Sequence, residues 1–283
     1  MYGTSLILQR SALLPVLTLN SMFARAALLL VPALLLTSPA GADPGSVTLG
    51  AKAPPVGTKY AEEKSSSFEM TVEADGKSIP VQMSEKQKKK VEVLATKGDA
   101  ITKAKITYEI DQKSQKQGTV QGGGASKIEG KTYTLTAGAT VEVAGASGPA
   151  PAAEAEVVRD REDHFGKPQK IARALAGRTF QLGKQVTLPG AEIGDAFGED
   201  PKMALQALTL TYRGMEGKHA KFDLRMSMAG KQPGNDLKLE VAGKIVIEPT
   251  SGEPMDLAVE GTIKQGGKTK IDGKVKMSAH RTM

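Results

Sequence analysis

The sequence predicts a mostly β protein of the β-rich α+β kind: strongly twisted antiparallel meander sheets with one short helix. Three observations predict it. Apolar and polar residues alternate with a period of two in run after run. The runs are separated by short turns rich in glycine and proline. Apolar residues at helical spacing occur once. Period-two alternation with one apolar and one charged face marks a half-buried antiparallel sheet, and short turns favour pairing between sequence neighbours.

The C-terminal part carries the pattern most clearly. Leu208, Leu210 and Tyr212 alternate with Thr209, Thr211 and Arg213, and Phe222, Leu224, Met226 and Met228 with Lys221, Asp223, Arg225 and Ser227. Leu237 to Ile247, Leu257 to Ile263 and Ile271 to Met277 continue it, across turns at Gly214–Gly217, Gly230–Gly234, Glu248–Gly252 and Gly266-Gly267. In the first half, Phe68, Met70 and Val72 run into Asp75-Gly76, and Ile79, Val81 and Met83 return as the second arm of a hairpin. Val91–Leu94 and Ile101–Ile110 read as two more strands joined at Lys97-Gly98-Asp99. Tyr133, Leu135, Val141 and Val143 suggest another hairpin. Residues 144–154 are low in complexity and read as a linker or long loop. The helix is expected at 168–176, with Pro168 in its first turn, Ile171, Ala172, Leu175 and Ala176 at helical spacing, and Gly177 as its stop.

Residues 1–42 read as a cleaved secretion signal. Met22-Phe23-Ala24-Arg25 gives a basic start, Ala26 to Leu36 an apolar run, and Ala40-Gly41-Ala42 the small-residue pattern cut after Ala42. The apolar run is too short for a spanning helix, which needs about 20 residues. No transmembrane segment is therefore expected after cleavage, and the expected location is the periplasm or the cell exterior. Residues 1–21 hold a second apolar stretch, so Met1 and Met22 both remain as starts. Residues 43–58 read as a flexible linker, and 59–283 as a single β-rich domain with two sheet-forming halves divided near 144–154.

Composition narrows the function. The chain has no cysteine, which excludes disulfides, thiolate metal sites and an acylated cysteine at the cleavage site. The net charge of +7 comes from 38 basic and 31 acidic residues, mixed along the chain. With no tryptophan, six Phe and five Tyr, there is little material for stacking bases, and no nucleic-acid partner is expected. His164, His219 and His280 stand far apart, so no metal site and no cofactor is predicted. No nucleophile motif occurs, and no catalytic residue is assigned; an enzyme is the less favoured reading. The densest ionisable run, Arg159-Asp160-Arg161-Glu162-Asp163-His164, reads as a solvated lead-in to the helix.

Two constellations remain as candidate binding features. Gly243, Gly261 and Gly273 each fall on the apolar face of a strand, between larger apolar residues. Glycine inside a strand costs stability and needs a reason. The glycines serve either as bend and packing devices in a curved sheet or as the floor of a groove for an apolar small molecule or lipid. Lys86, Lys88, Lys89 and Lys90 form a basic run, read either as a solvated strand edge or as a contact for an anionic surface. The leading expectation is a non-enzymatic binding protein with an apolar groove. The alternatives are an envelope structural or adaptor module that meets a protein or polymer, and a hydrolase with an unrecognised site.

One wider pattern spans residues 214–261. Gly214-Met215-Glu216-Gly217 precedes the Phe222 strand; Val241 to Ile247, then Thr250-Ser251-Gly252-Glu253-Pro254, then Leu257 to Gly261 close it. This resembles the closing part of a family of exported bacterial β-rich proteins, catalogued as domains of unknown function. The resemblance implies a signal peptide, a β-rich body and a strand–Thr-x-Gly-x-Pro–strand hairpin near the end. It rests on turn formers and core positions, and it carries over no activity.

Overall fold

The computed structural model describes residues 45–167, 170–193, 203–232, 235–267 and 269–283. The signal expected at 1–42 and the predicted helix start at Pro168 lie outside the described residues.

Fifteen strands and three helices are described, and the fold is mostly β, as the alternation predicts. The strands are β1 (Ser46–Thr48), β2 (Lys59–Ala74), β3 (Lys77–Lys97), β4 (Ala100–Gln117), β5 (Val120–Ala125), β6 (Thr132–Thr136), β7 (Glu142–Gly145), β8 (Gly148–Pro149), β9 (Thr179–Gln181), β10 (Gln185–Pro189), β11 (Ala204–Glu216), β12 (His219–Gln232), β13 (Asn235–Glu248), β14 (Glu253–Gln265) and β15 (Lys270–Thr282). The helices are α1 (Ala152–Arg161), α2 (Lys170–Leu175) and α3 (Gly190–Ile193).

One antiparallel sheet holds nearly every strand, in the order β10-β11-β12-β13-β14-β15-β2-β3-β4-β6-β7-β8, with β5 attached to the far part of β4. The five C-terminal strands form the predicted meander. The last strand then pairs with the first long one, over a register from Lys270↔Glu73 to Thr282↔Ala61. The two halves of the sequence therefore share one continuous sheet. A separate pair, β1-β9, lies against it.

Three differences from the sequence reading have physical causes. First, Ile79–Met83 and Val91–Leu94 are two parts of one strand, the 21-residue β3. The polar residues between them face inward, so the apolar alternation lapses while the strand continues. Second, α1 lies partly within the segment read as a linker. Its sequence, AAEAEVVRDR, is rich in helix formers, but it buries only Ala155, Val158 and Arg161, too weak a stripe for periodicity to reveal. Third, the described part of the expected tether is packed rather than free. Val47 pairs with Phe180, and both Val47 and Leu49 are buried.

The interior forms two apolar clusters. The larger lines β11–β15 and the near parts of β2 and β3. It is closed by Val47, Leu49, Ile171, Leu175, Phe180, Leu188 and Ile193 from β1, α2, β9, β10, α3 and the residue after β1. Phe180 stacks edge-on against Phe222, centroids 5.1 Å apart. The smaller gathers Tyr60, Val91, Val93, Ile106, Tyr108, Tyr133 and Leu135 beneath Ala155 and Val158 of α1.

Candidate functional site

Between the two apolar clusters runs a belt of buried charge. Counting along β2 from Phe68 toward the chain start, the inward positions are Ser66, Lys64, Glu62 and Tyr60, all buried. On β3 the inward positions are Gln87 and Lys89. On β15, Arg281 continues the face of Met277 and Ala279. On β4 a bulge changes the phase: Lys88 pairs with Ile110, but Lys89 pairs with Tyr108, leaving Glu109 as the extra residue. The bulge turns Asp111 inward, fully buried, where strict alternation from Tyr108 would place Ile110. The end of α1 adds Arg161 and Glu162 from above.

These groups are paired. Glu62 Oε2 lies 3.1 Å from Lys89 Nζ and 3.3 Å from Lys64 Nζ, and its Oε1 lies 3.3 Å from Arg281. Lys89 Nζ donates to Glu162 Oε1 at 2.7 Å, and the Tyr108 hydroxyl donates to the same oxygen at 3.0 Å. Arg161 bridges Glu85 and Asp111, the latter at 2.7 Å. Arg281 donates to Glu253 at 2.8 Å and lies 4.1 Å from the centre of the Tyr60 ring, a cation–π contact. Buried charges are tolerated only when paired in this way.

The electrostatics separate the carboxylates. Burial alone would raise Glu62, but Lys64, Lys89 and Arg281 outweigh it and hold the group at about 2. Glu253 goes the other way: burial pushes it to about 8 against the pull of Arg281, and Glu62 and Glu248 add to the rise. The belt therefore sets Lys64, Lys89, Arg161 and Arg281 against Glu62, Glu85, Asp111, Glu162 and Glu253, with Glu62 and Glu253 shifted in opposite directions. Burial lowers the pKa of Lys64, with the neighbouring Lys89 adding to the fall, while Glu162 and Glu62 raise that of Lys89 against its burial.

A cavity of about 60 Å³ opens beside the belt. Lys64, Lys89, Arg161 and Glu162 form its charged side, and Val91, Ile101, Ala104, Ile106 and Phe165 its apolar side. It has room for a few water molecules. Among the described residues, no cluster of histidines and carboxylates is placed to hold a metal ion.

The lysine run divides by strand alternation. Lys86 pairs with Glu63 at 3.1 Å, and Lys88 and Lys90 both pair with Glu109, all on the outer face. Lys89 points the opposite way and is 4% exposed. Its proposed role as an anionic-surface contact is thereby corrected, because a side chain enclosed by Glu62 and Glu162 meets no external surface. The ionisable run at 159–164 is corrected too: Arg161 and Glu162 are belt members, not solvated lead-in.

Gly243, Gly261 and Gly273 do lie on the inward side, half-buried. A Cβ at Gly243 would stand 2.0 Å from Ala258 O, at Gly261 1.9 Å from Glu240 O, and at Gly273 2.5 Å from Met70 Cβ. Gly243 pairs with Val259, Gly261 with Val275 and Gly273 with Ile263, so the glycines step diagonally across β13, β14 and β15. They form a crease in which neighbouring backbones close on the inner face, a device for sharp sheet curvature. The open hollow at Gly261, about 370 Å³, is lined by Arg225, Glu240 and Glu260 and so belongs to the outer face.

The Thr250–Pro254 turn also has a structural use. Gly252 has φ of +72° and packs on Ala172 of α2, while Gly50 N–H donates to Pro249 O at 2.6 Å. The small elements that close the larger cluster dock on this turn.

No protein-family model and no curated protein matches the chain. Among solved structures, it is similar to one described as lipid–protein interactions in lipovitellin, at 9% identity over 81% of this chain, with a TM-score of 0.41. The match spans 25% of that chain. At this score the likeness bears no argument about binding.

The belt was the feature missed by sequence reasoning. Its signal was present: carrying the period of Phe68, Met70 and Val72 back through β2 puts Lys64 and Glu62 on the buried face. Asp111 had no such signal, since it depends on the bulge.

Proposed function

We propose that this is an exported, non-enzymatic binding protein whose curved sheet holds an apolar small molecule or lipid chain. The observation that carries the reading is the contrast between the trough and what closes it. Strands of 13 and 14 residues line the larger cluster, but three-residue strands, a six-residue helix and a four-residue helix help close it. Short elements with few buried contacts open at low free-energy cost. Met70, Met83, Met226, Met228 and Met277 line the interior, and their unbranched side chains repack readily around a guest. The trough is filled by Phe180 and its neighbours in this structure, so a ligand enters by displacing them.

Native mass spectrometry of the protein isolated from its own host, with organic extraction alongside, tests this. A stable added mass that matches an extracted lipid supports the reading. A bare chain that also takes up no added fatty acid overturns it.

A further inference from the structure

We propose that the end of the sheet carrying Leu182 and Met215 docks on an anionic lipid membrane surface. Large exposed apolar side chains are not spread evenly over the molecule. Val56, Leu94, Leu182, Met215 and Met283 all stand within a few residues of one end of the large sheet, where β3, β11 and β15 finish and β2 and β10 begin. Among the described residues, Val120 alone stands at the other end.

Leu182 and Met215 form the tightest pair of this set. Leu182 sits in the turn from β9 to β10, and Met215 at the turn from β11 to β12. The two turns are neighbours because β10 pairs with β11, and Gly183 N–H donates to Tyr212 O at 2.9 Å. A Cβ at Gly214 would stand 3.8 Å from Leu182 Cδ1. The two side chains are 52% and 50% exposed, so together they make a small apolar tip.

Two further observations name the occupant. The first is charge. Lys184 and Lys218 stand exposed on the same two turns, and neither has an ion-pair partner among the described residues. The carboxylates nearby are taken: Glu216 by Lys221 at 2.7 Å, and Asp223 by Arg213 at 2.7 Å. The tip therefore offers two uncommitted cations beside apolar side chains, the combination that anionic head groups and the acyl boundary attract. The second is the path of the chain. Leu182 N–H donates to Gly45 O at 2.6 Å, so the apolar run Ala26–Leu36 joins the fold at this tip. Leu36 is nine residues before Gly45, a reach of at most about 30 Å. A membrane that holds the apolar run stands within reach of Leu182 and Met215.

The size of the tip fits a bilayer better than a folded partner. A stable protein interface covers about 800 Å² on each side, far more than two side chains supply. Apolar tips flanked by lysines need no matching surface to enter a lipid interface. This proposal goes beyond a held lipid, since docking requires no ligand in the sheet.

The test uses the protein isolated from its own host and two kinds of vesicle, phosphatidylcholine alone and phosphatidylcholine mixed with phosphatidylglycerol. Binding is read by flotation, and hydrogen exchange locates the contact. The expected result is binding to the anionic vesicles, weakened by salt, with slowed exchange at residues 181–185 and 214–218. The double variant Leu182→Ser, Met215→Ser is expected to weaken binding about tenfold. The double variant Lys184→Gln, Lys218→Gln is expected to weaken it and flatten its salt dependence. Val120→Ser, at the opposite end, should bind like the unchanged protein. All five positions are exposed, and unchanged thermal melts show the variants to be folded. Binding to neither vesicle, binding that survives both double variants, or protection only outside the two turns overturns the proposal. So does self-association without vesicles that Leu182→Ser, Met215→Ser abolishes, which would assign the tip to a second copy.

Discussion

The two halves of the interior solve the same problem in different ways. Along β11–β15 the inward face is apolar almost throughout, broken chiefly by a diagonal of glycines that lets the sheet crease. Along β2–β4 the inward face changes from apolar to charged and back within single strands, and helix α1 closes the charged part with Arg161 and Glu162. The first region gains stability from area, except at the end of β14 and β15, where Glu253 and Arg281 join the belt. The second depends on each buried charge keeping its partner. One sheet therefore holds a packed apolar cluster next to a belt of buried ion pairs.

The largest expected effect comes from placing a charge on the apolar side. Val259 is buried opposite Gly243 and Met277. Val259→Asp should cost several kcal/mol, since nothing there pairs with the carboxylate, and the chain should lose its cooperative melt in circular dichroism. A melt like that of the unchanged protein would show the face to be misassigned.

Next is the belt. Lys89→Met leaves Glu62 and Glu162 buried without their shared cation, and about 3–5 kcal/mol should be lost in urea titration. Adding Glu162→Gln should restore part of the loss. Strict additivity of the two changes would break the claim that the belt acts as a network.

Gly261→Ala sharpens the contrast from the apolar side. Its Cβ would collide with Glu240 O, so about 1–3 kcal/mol should be lost. Gly122→Ala, with open space around it, should change the urea midpoint little.

pH offers a subtler comparison. Glu253 is lifted from 4.5 to about 8 on folding, so the folded chain holds its proton more tightly than the unfolded chain. That contribution is full below about pH 4.5 and is lost as pH rises through 8. Glu62, lowered to about 2, contributes above pH 4.5 and loses its contribution as pH falls toward 2. Stability of the unchanged protein should decline from about pH 5 to 8, and Glu253→Gln should flatten that limb while leaving the acid limb in place. The smallest effect is expected at the surface, where Lys86→Ala should cost no more than about 0.5 kcal/mol.

Much of this architecture was legible in the sequence because period-two alternation is a direct imprint of a sheet with one wet face. Phe222, Leu224 and Met226 announced β12, and Asp75-Gly76 and Lys97-Gly98-Asp99 announced two hairpins. Legibility failed where the inside is polar. Glu85, Gln87 and Lys89 hid the middle of β3, because a buried lysine and a surface lysine are the same letter. The return of β15 to β2 is a long-range pairing that no local pattern encodes. The α1 helix escaped because Ala and Glu favour helix without marking a face.

Hydrogen exchange on the folded protein tests the contrast between trough and closure most directly. Amides of β1, α2 and β9 should exchange through an opening far cheaper than that of β12–β14, and added oleate should slow them while the sheet stays as it was. Exchange of those elements at the same slow rate as β12–β14, unmoved by oleate, would show one rigid core and contradict a trough that opens.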